Sequence, residues 1–347
     1  MRKKRKNNEQ QTNLPISIII CAHNEEANLQ KNLSYILNQQ YEHHGKPNFE
    51  VLVVNDNSKD DSIYFLREQV KMNPHLNILN LTQESRNMKG KKFPLTMGIK
   101  EAKYEHIVLT DADCEPASDQ WLIEMVQPFY EGKEIVMGYA PYKKEKTSLN
   151  KKVRYETFYA ALQYLSFALA NIPYMGVGRN LGYTRSLFNK NKGFSKHYQL
   201  LSGDDDLFIN AVANSKNSAV ILSENTFMLS AAKRSSEAWK FQKKRHLSTG
   251  RFYKWKHKFI LAVLAFSHFF FYVSFIACCF YQRFLLPCLG IFVFRWIYLY
   301  IIQYFSMKKL GEEDLSLRIW YYDIWTLGYY IKNIPSIFFK PKIIEWK

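Results

Sequence analysis

The sequence predicts an α/β domain, a mostly parallel sheet with helices on both faces, followed by C-terminal transmembrane helices. Three observations predict it. Between residues 17 and 113, short apolar runs alternate with helical patterns, the rhythm of strand–helix–strand units. Polar clusters follow three of the first four apolar runs: His23-Asn24-Glu25, Asn55-Asp56-Asn57 and Asp111-Ala112-Asp113. Open parallel sheets bind ligands beyond the carboxyl ends of their strands, so one crevice lined by all three clusters is expected. From residue 259 onward the apolar stretches reach membrane-crossing length.

Ser17 to Cys21 reads as the first buried strand. A helix from about Glu26 to Asn38 follows, with Leu29, Leu33, Ile36 and Leu37 at helical spacing. Phe49 to Val54 is a second strand, and Asn, Asp and Ser after it suit the cap of a helix near Ser62 to Lys71. Leu76 to Leu81 is a third strand, followed by a basic loop, Arg86 to Lys92, and a helix to about Ala102. His106 to Thr110 is the fourth strand and ends on Asp111-Ala112-Asp113. Further on, Trp121 to Tyr130 reads as a helix, Ile135 to Tyr139 as a strand and Val153 to Tyr174 as a long apolar helix. Gly176 to Asn180 is a loop or strand start. No GxGxxG follows the first strand, which argues against a dinucleotide site.

Phe259 to Tyr281 and Phe284 to Met307 are two candidate spans, the second interrupted by Pro287 and Arg295. A third apolar segment, Ile319 to Phe339, contains Asp323 and Lys332. An ordinary third span would export the basic tail at Lys340, Lys342 and Lys347, against the positive-inside rule, so a re-entrant or surface-lying segment is expected. Trp239 to Tyr253 is basic and aromatic, suited to lying on a bilayer. The expected division is a disordered basic tail at 1–13, a catalytic domain at 14–235, an interfacial segment at 236–257 and a membrane region at 258–347.

The chain carries 48 Lys and Arg against 31 Asp and Glu, a net charge of +17 that favours an anionic partner. No helix-turn-helix, zinc-finger or RNP-like pattern accompanies that charge, so nucleic acid is not the expected partner. Aromatic residues concentrated towards the C-terminus point to lipid instead. The five cysteines form no CxxC pair, which argues against a zinc site or disulfide framework and fits a reducing, cytosolic location for the catalytic domain. No signal peptide is recognisable, since no apolar stretch follows the basic start Arg2 to Lys6.

Asp111 and Asp113 are the candidate metal ligands. Residues two apart on an extended backbone face the same side, and two carboxylates so placed repel unless a cation lies between them. Oxygen ligands suit Mg²⁺ or Mn²⁺ shared with substrate phosphates. Asp204-Asp205-Asp206 precede a helical pattern, where the helix dipole stabilises a carboxylate by ~0.3–1 kcal/mol. The alternatives are a solvated turn for the first acidic group and an over-endowed helix cap for the second.

Seven stretches in order resemble a membrane-attached family 2 glycosyltransferase with the GT-A fold, of the kind that includes cellulose and hyaluronan synthase-like enzymes. They are SIIICAHNEEANL (17–29), FEVLVVNDNSKD (49–60), GKKFPLTMGI (90–99), VLTDADC (108–114), GRNLGYTRSLF (178–188), SGDDDL (202–207) and QKKRH (242–246). The resemblance implies that Glu25 and Asp56 hold the base and ribose of a nucleotide sugar, a UDP-sugar by the family's pattern, with Lys91 near the nucleotide. It implies Asp111 at the nucleotide or sugar, Asp113 on the metal, and Asp204 as catalytic base with Asp205 as the fallback. Gln242 and Arg245 would grip the diphosphate and acceptor end, with Arg179 assigned to the same acceptor and diphosphate side. Asn55 stands where the family carries an acid, Gly203 replaces the acid before the base, and His246 replaces the Trp of QxxRW.

The implied reaction is inverting, metal-dependent transfer of a sugar to a lipid-linked or glycan acceptor at the cytosolic membrane face, non-processive because two or three membrane segments are few for a channel. A processive polysaccharide synthase is the alternative within the class. Outside it stand a non-catalytic membrane scaffold and a membrane-tethered nucleic-acid binder.

Overall fold

The computed structural model describes residues 13–82 and 90–338. The basic start, most of the basic loop at Arg86 to Lys92, and the C-terminal lysines lie outside the described residues. The chain forms two compact units: one runs to Lys143 and takes in Gln163–Ala232, the other holds Lys144–Leu162 and the chain from Lys233.

The first unit contains β1 (Ile16–Ala22), α1 (Glu26–Leu37), a two-residue hairpin of β2 (Glu42–His43) and β3 (Lys46–Pro47), then β4 (Phe49–Asp56), α2 (Ser62–Met72), β5 (Leu76–Leu81) and α3 (Lys92–Glu101). After these come β6 (His106–Asp111), β7 (Cys114–Pro116), α4 (Trp121–Met125), α5 (Gln127–Tyr130) and β8 (Ile135–Met137). The long helix α6 (Ser148–Leu169) passes from the second unit back into the first. It is followed by β9 (Leu181–Thr184), α7 (Arg185–Lys190), α8 (Asp206–Val212), β10 (Ser218–Val220) and β11 (Met228–Ser230).

Seven strands form one sheet in the order β10-β8-β9-β6-β1-β4-β5. All pairings are parallel except those of β9, which is antiparallel to both β6 and β8. Every residue of β1 and β4 is buried, as expected of central strands covered on both faces. Alternation along β1 explains the two cores. Ile16, Ile18 and Ile20 pack with Leu29 and Leu33 of α1 and with Trp121, whereas Ile19 and Cys21 pack with Leu95 and Ile99 of α3. A separate two-stranded sheet pairs β7 with β11.

Several boundaries differ from the sequence reading for local reasons. The stretch at 121–130 breaks into α4 and α5 because Pro128, near the start of α5, has no N–H to continue the first helix. Helix α6 begins earlier than Val153, since the Thr147 hydroxyl accepts the Asn150 N–H at 3.1 Å and caps it. It stops short of Tyr174 at the left-handed Asn171.

The second unit contains the first part of α6, α9 (Ser236–Leu247), α10 (Trp255–Cys279), α11 (Leu285–Lys309) and α12 (Ile319–Phe338). Helix α10 and the segment Gln282–Lys309 are long and apolar enough to cross a membrane, with mean hydropathies of 2.2 and 2.0. Phe275 stacks on Phe292 at 4.1 Å between α10 and α11. The third apolar segment is one continuous helix. Its Asp323 accepts from Arg295 of α11 at 3.1 Å and from Tyr272 of α10 at 2.6 Å. Arg295 therefore has a carboxylate partner within the protein, as an arginine among apolar helices requires.

Candidate active site

Strand register brings the polar clusters to one sheet edge. Cys21 of β1 lies opposite Asp111 of β6, and Ala22 lies opposite Asn55 of β4. His23, Asn55, Asp56 and Asp111 consequently leave the sheet side by side. The first two turns are also bonded to each other. A His23 ring nitrogen donates to the Asp56 carbonyl at 2.6 Å, the Ser58 hydroxyl accepts the Asn24 N–H at 3.0 Å, and Asn24 Oδ1 accepts the Lys59 N–H at 2.7 Å. Asn24 and Asn57 adopt left-handed backbone, which asparagine tolerates better than most residues. Asp60 Oδ2 accepts the Glu26 N–H at 3.0 Å, so the second turn caps α1 in place of a local cap. Glu25 accepts from Asn28 at 2.5 Å and is half-buried, while Asp56 is buried.

Asp111 ends β6 and forms an ion pair with Lys91, the residue just before α3. Burial alone would depress the Lys91 ammonium, but Asp111, Cys21 and Asp204 outweigh it and push its pKa up. The turn after Asp111 is held by Asn32, which donates to the Ala112 carbonyl at 3.0 Å. Oxygens of Asp111 and Asp113 and the Cys114 sulfur all lie within 4.8 Å of one another. Two carboxylates so spaced fit a Mg²⁺ or Mn²⁺ ion. Burial keeps the Cys114 thiol protonated, and its S–H donates to Asp113 Oδ1 at 3.4 Å. Cys114 thereby helps to orient the Asp113 carboxylate.

The second acidic run, Asp204 to Asp206, reaches the same neighbourhood. The charge of Asp204 acts on Lys91, on Cys21 beneath the sheet edge and on Tyr183 of β9. Asp205 is engaged differently: its Oδ2 accepts the Gly178 N–H at 2.9 Å and its Oδ1 accepts the Asp206 N–H at 2.7 Å, capping α8. Burial, together with Asp204 and Asp206, pushes the Asp205 carboxyl up to about 7. Arg179 donates to the Ser230 hydroxyl and to the Ala140 carbonyl at 2.9 Å, with its guanidinium 4.5 Å from the Tyr142 ring centre. Burial alone would depress its guanidinium, but Tyr142, Cys114, Asp113 and Asp111 outweigh it and push its pKa up. Asn180 beside it is fully buried. It donates to the carbonyls of Tyr139 and Thr226 at 2.8 and 2.7 Å and accepts from Trp121 at 3.0 Å.

The profile of Glycosyl transferase family 2 matches residues 17–192, half of the chain, and spans every element from β1 to α7. The chain belongs to this family. Among curated relatives, it is 32% identical over 139 residues to the uncharacterized glycosyltransferase YkcC of Bacillus subtilis, covering 39% of this chain and 40% of the relative. It is 30% identical over 115 residues to the poly-beta-1,6-N-acetyl-D-glucosamine synthase of Staphylococcus epidermidis, covering 33% of this chain and 24% of that protein. The matches thus span two fifths or less of those relatives. Among solved structures, the mannosyltransferase PcManGT of Pyrobaculum calidifontis, in complex with GDP-Man and Mn²⁺, superposes with a TM-score of 0.56. It covers 91% of this chain and 89% of its own, at 18% identity, and supports the GT-A fold.

Family membership gives the departures from pattern a physical setting. Asn55, where other family 2 members carry an acid, is buried and donates to Asn80 Oδ1 at 2.7 Å on the neighbouring strand. Gly203 has φ +100°, and a Cβ there would lie 2.5 Å from Leu207 Cδ1, so the acid usual at this position has no room. Gln242 and Arg245 lie on α9, within the second unit. There Lys243 pairs with Glu156 of α6, and Trp239 stacks against Trp325 and Tyr329 of α12. The role of Asn180 was invisible in the sequence, because it acts on backbone carbonyls far away in the chain.

Proposed function

We propose that the protein transfers a sugar from a nucleoside diphosphate sugar, a UDP-sugar by its family pattern, to a hydroxyl of a lipid-linked or glycan acceptor, with inversion at the anomeric carbon. The observation that carries the proposal is the convergence on Lys91 of Asp111, from the acidic turn, and Asp204, from the second acidic run. Glu25 and Asp56 at the adjoining strand ends would hold the base and ribose, and Asp111 and Asp113 would hold Mg²⁺ or Mn²⁺. A bound divalent ion neutralises charge developing on the diphosphate leaving group. Lys91 adds a second cation at the same place, so no general acid is required. Asp204 takes the proton of the acceptor hydroxyl as it attacks from the side opposite the diphosphate. Asp205 is the weaker candidate for that role, because both its oxygens already accept backbone N–H groups.

The acceptor assignment rests on α10 and α11, whose outward residues include Phe266, Phe270, Ile276, Ile291 and Phe294. Integrated into a bilayer with the basic α9 segment at the cytosolic face, they would tether the chain to the membrane that carries such acceptors. Gln242 and Arg245 on that segment, together with Arg179, are assigned to the diphosphate and acceptor end. The similarity to a poly-N-acetylglucosamine synthase favours a second reading, processive polymerisation. Incubating membranes that contain the protein with a panel of labelled nucleotide sugars and lipid extract tests both. Release of UDP or GDP with a single added sugar on lipid supports the first reading, and a ladder of long products supports the second. Failure to consume any nucleotide sugar would leave a non-catalytic scaffold.

A further inference from the structure

Lys91 and Lys92 are adjacent, yet the fold gives them different partners: Lys91 pairs with Asp111, and Lys92 with the 200–202 segment. Lys92 opens α3, where the helix dipole is unfavourable to a cation, and it is fully buried. Both conditions are costly for an ammonium group and call for specific partners. Its Nζ donates to the carbonyls of Leu200 and Ser202, each at 2.6 Å. These two residues immediately precede the Gly203-Asp204-Asp205 turn. Gly90 meets the same segment from beside the lysines: it has φ +67°, and a Cβ there would lie 2.5 Å from the Leu201 carbonyl oxygen. In the same segment, burial and then the Lys92 charge hold the His197 imidazole below its usual pKa. The tripeptide Gly90-Lys91-Lys92 therefore joins the metal-side acid, through Lys91 and Asp111, to the backbone that delivers Asp204.

From this geometry we infer that Lys92 is a positioning residue: by holding the Leu200 and Ser202 carbonyls, it fixes the placement of Asp204 relative to Asp111. The inference rests on the proposed role of Asp204 as base. Lys92 is fully buried, so its loss is expected to act on turnover and to leave donor binding intact. A misplacement of about 1 Å in a reacting group costs on the order of 100-fold in rate.

The test uses the full chain in membranes or detergent, with Lys92→Met and Gly90→Ala, which disturb the 200–202 segment by unrelated means. Turnover is read as released UDP plus GDP from a pooled nucleotide-sugar panel with lipid extract, and backbone mobility as amide hydrogen exchange. The expected result is a kcat lowered about 100-fold in Lys92→Met, a donor KM within about twofold of the parent, and faster exchange confined to residues 199–205. Gly90→Ala reproduces the same pattern more weakly. Parental kcat and parental exchange in Lys92→Met overturn the inference. So does a joint loss of kcat and donor binding with faster exchange through β1, β4 and β6, which would make Lys92 a general core support. Asp204→Asn, assayed alongside, separates the two proposals. Parental turnover in that variant overturns the base assignment, whereas an inactive Asp204→Asn beside an unimpaired Lys92→Met overturns only the role given to Lys92.

Discussion

The two acidic runs of this protein, Asp111-Ala112-Asp113 and Asp204-Asp205-Asp206, are alike in charge character and opposite in fate. Asp111 and Asp113 stand at the end of a parallel strand, half-buried, with Lys91 and the Cys114 thiol arranged around them. Asp204, Asp205 and Asp206 stand at the start of a short helix, where two of the three carboxylates are turned onto backbone N–H groups. The first run has a lysine partner within the protein, Lys91 on Asp111, and its two carboxylates are the ones proposed to hold a divalent ion. The second mostly satisfies its own backbone, and among the described residues no backbone N–H engages the side chain of Asp204. Clustered carboxylates are thus no guide to chemistry until their backbone setting is known.

The difference between the runs can be broken experimentally. The largest effect is expected from Asp204→Asn, which should lower kcat by about 10²–10⁴-fold while UDP or GDP still binds, as measured by calorimetry beside the turnover assay. A comparable loss in Asp205→Asn, with Asp204→Asn active, would transfer the role of base to its neighbour. Next in size, Asp113→Ala should weaken Mn²⁺ binding by about 10–100-fold or more, read by paramagnetic resonance of the free ion. Asp206→Asn should leave Mn²⁺ binding unchanged, because only the first run is assigned to metal.

Smaller effects sharpen the contrast in backbone. Gly203→Ala forces a Cβ into Leu207 at a backbone angle that side chains rarely adopt, and should cost about 1–3 kcal/mol of stability. Thermal unfolding measures it. A pH dependence is also expected from Asp205. The folded protein retains that proton up to about pH 7, whereas the unfolded chain releases it near 3.8. Between those values the folded state binds more protons, so stability falls as pH rises and levels off above about 7. The thermal midpoint followed across this window should decline, and Asp205→Asn should flatten the decline.

Much of the first wall of the site was legible in the chain. The apolar runs at 17–21, 49–54 and 106–110, each followed by polar residues, are enough to place Glu25, Asp56 and Asp111 at one edge of a parallel sheet. Strand periodicity and strand-end chemistry are local properties, and parallel crossovers leave few arrangements for them. The helix break at Pro128 and the cap at Thr147 were also written locally, though they were outweighed by the apolar pattern around them. By contrast, the antiparallel entry of β9 between β6 and β8 depends on pairings across distant segments.

By itself, then, the sequence determined the alternation of strands and helices, the acidic turn after the fourth main strand, and two helices of membrane-crossing length. Only the tertiary structure decided that the charge of Asp204 bears on Lys91, why position 203 favours glycine, and that Lys92 reaches carbonyls more than a hundred residues away. The physical reason is that burial, close contact and hydrogen bonding to the main chain depend on what the fold brings alongside a residue. No window of neighbouring residues encodes them.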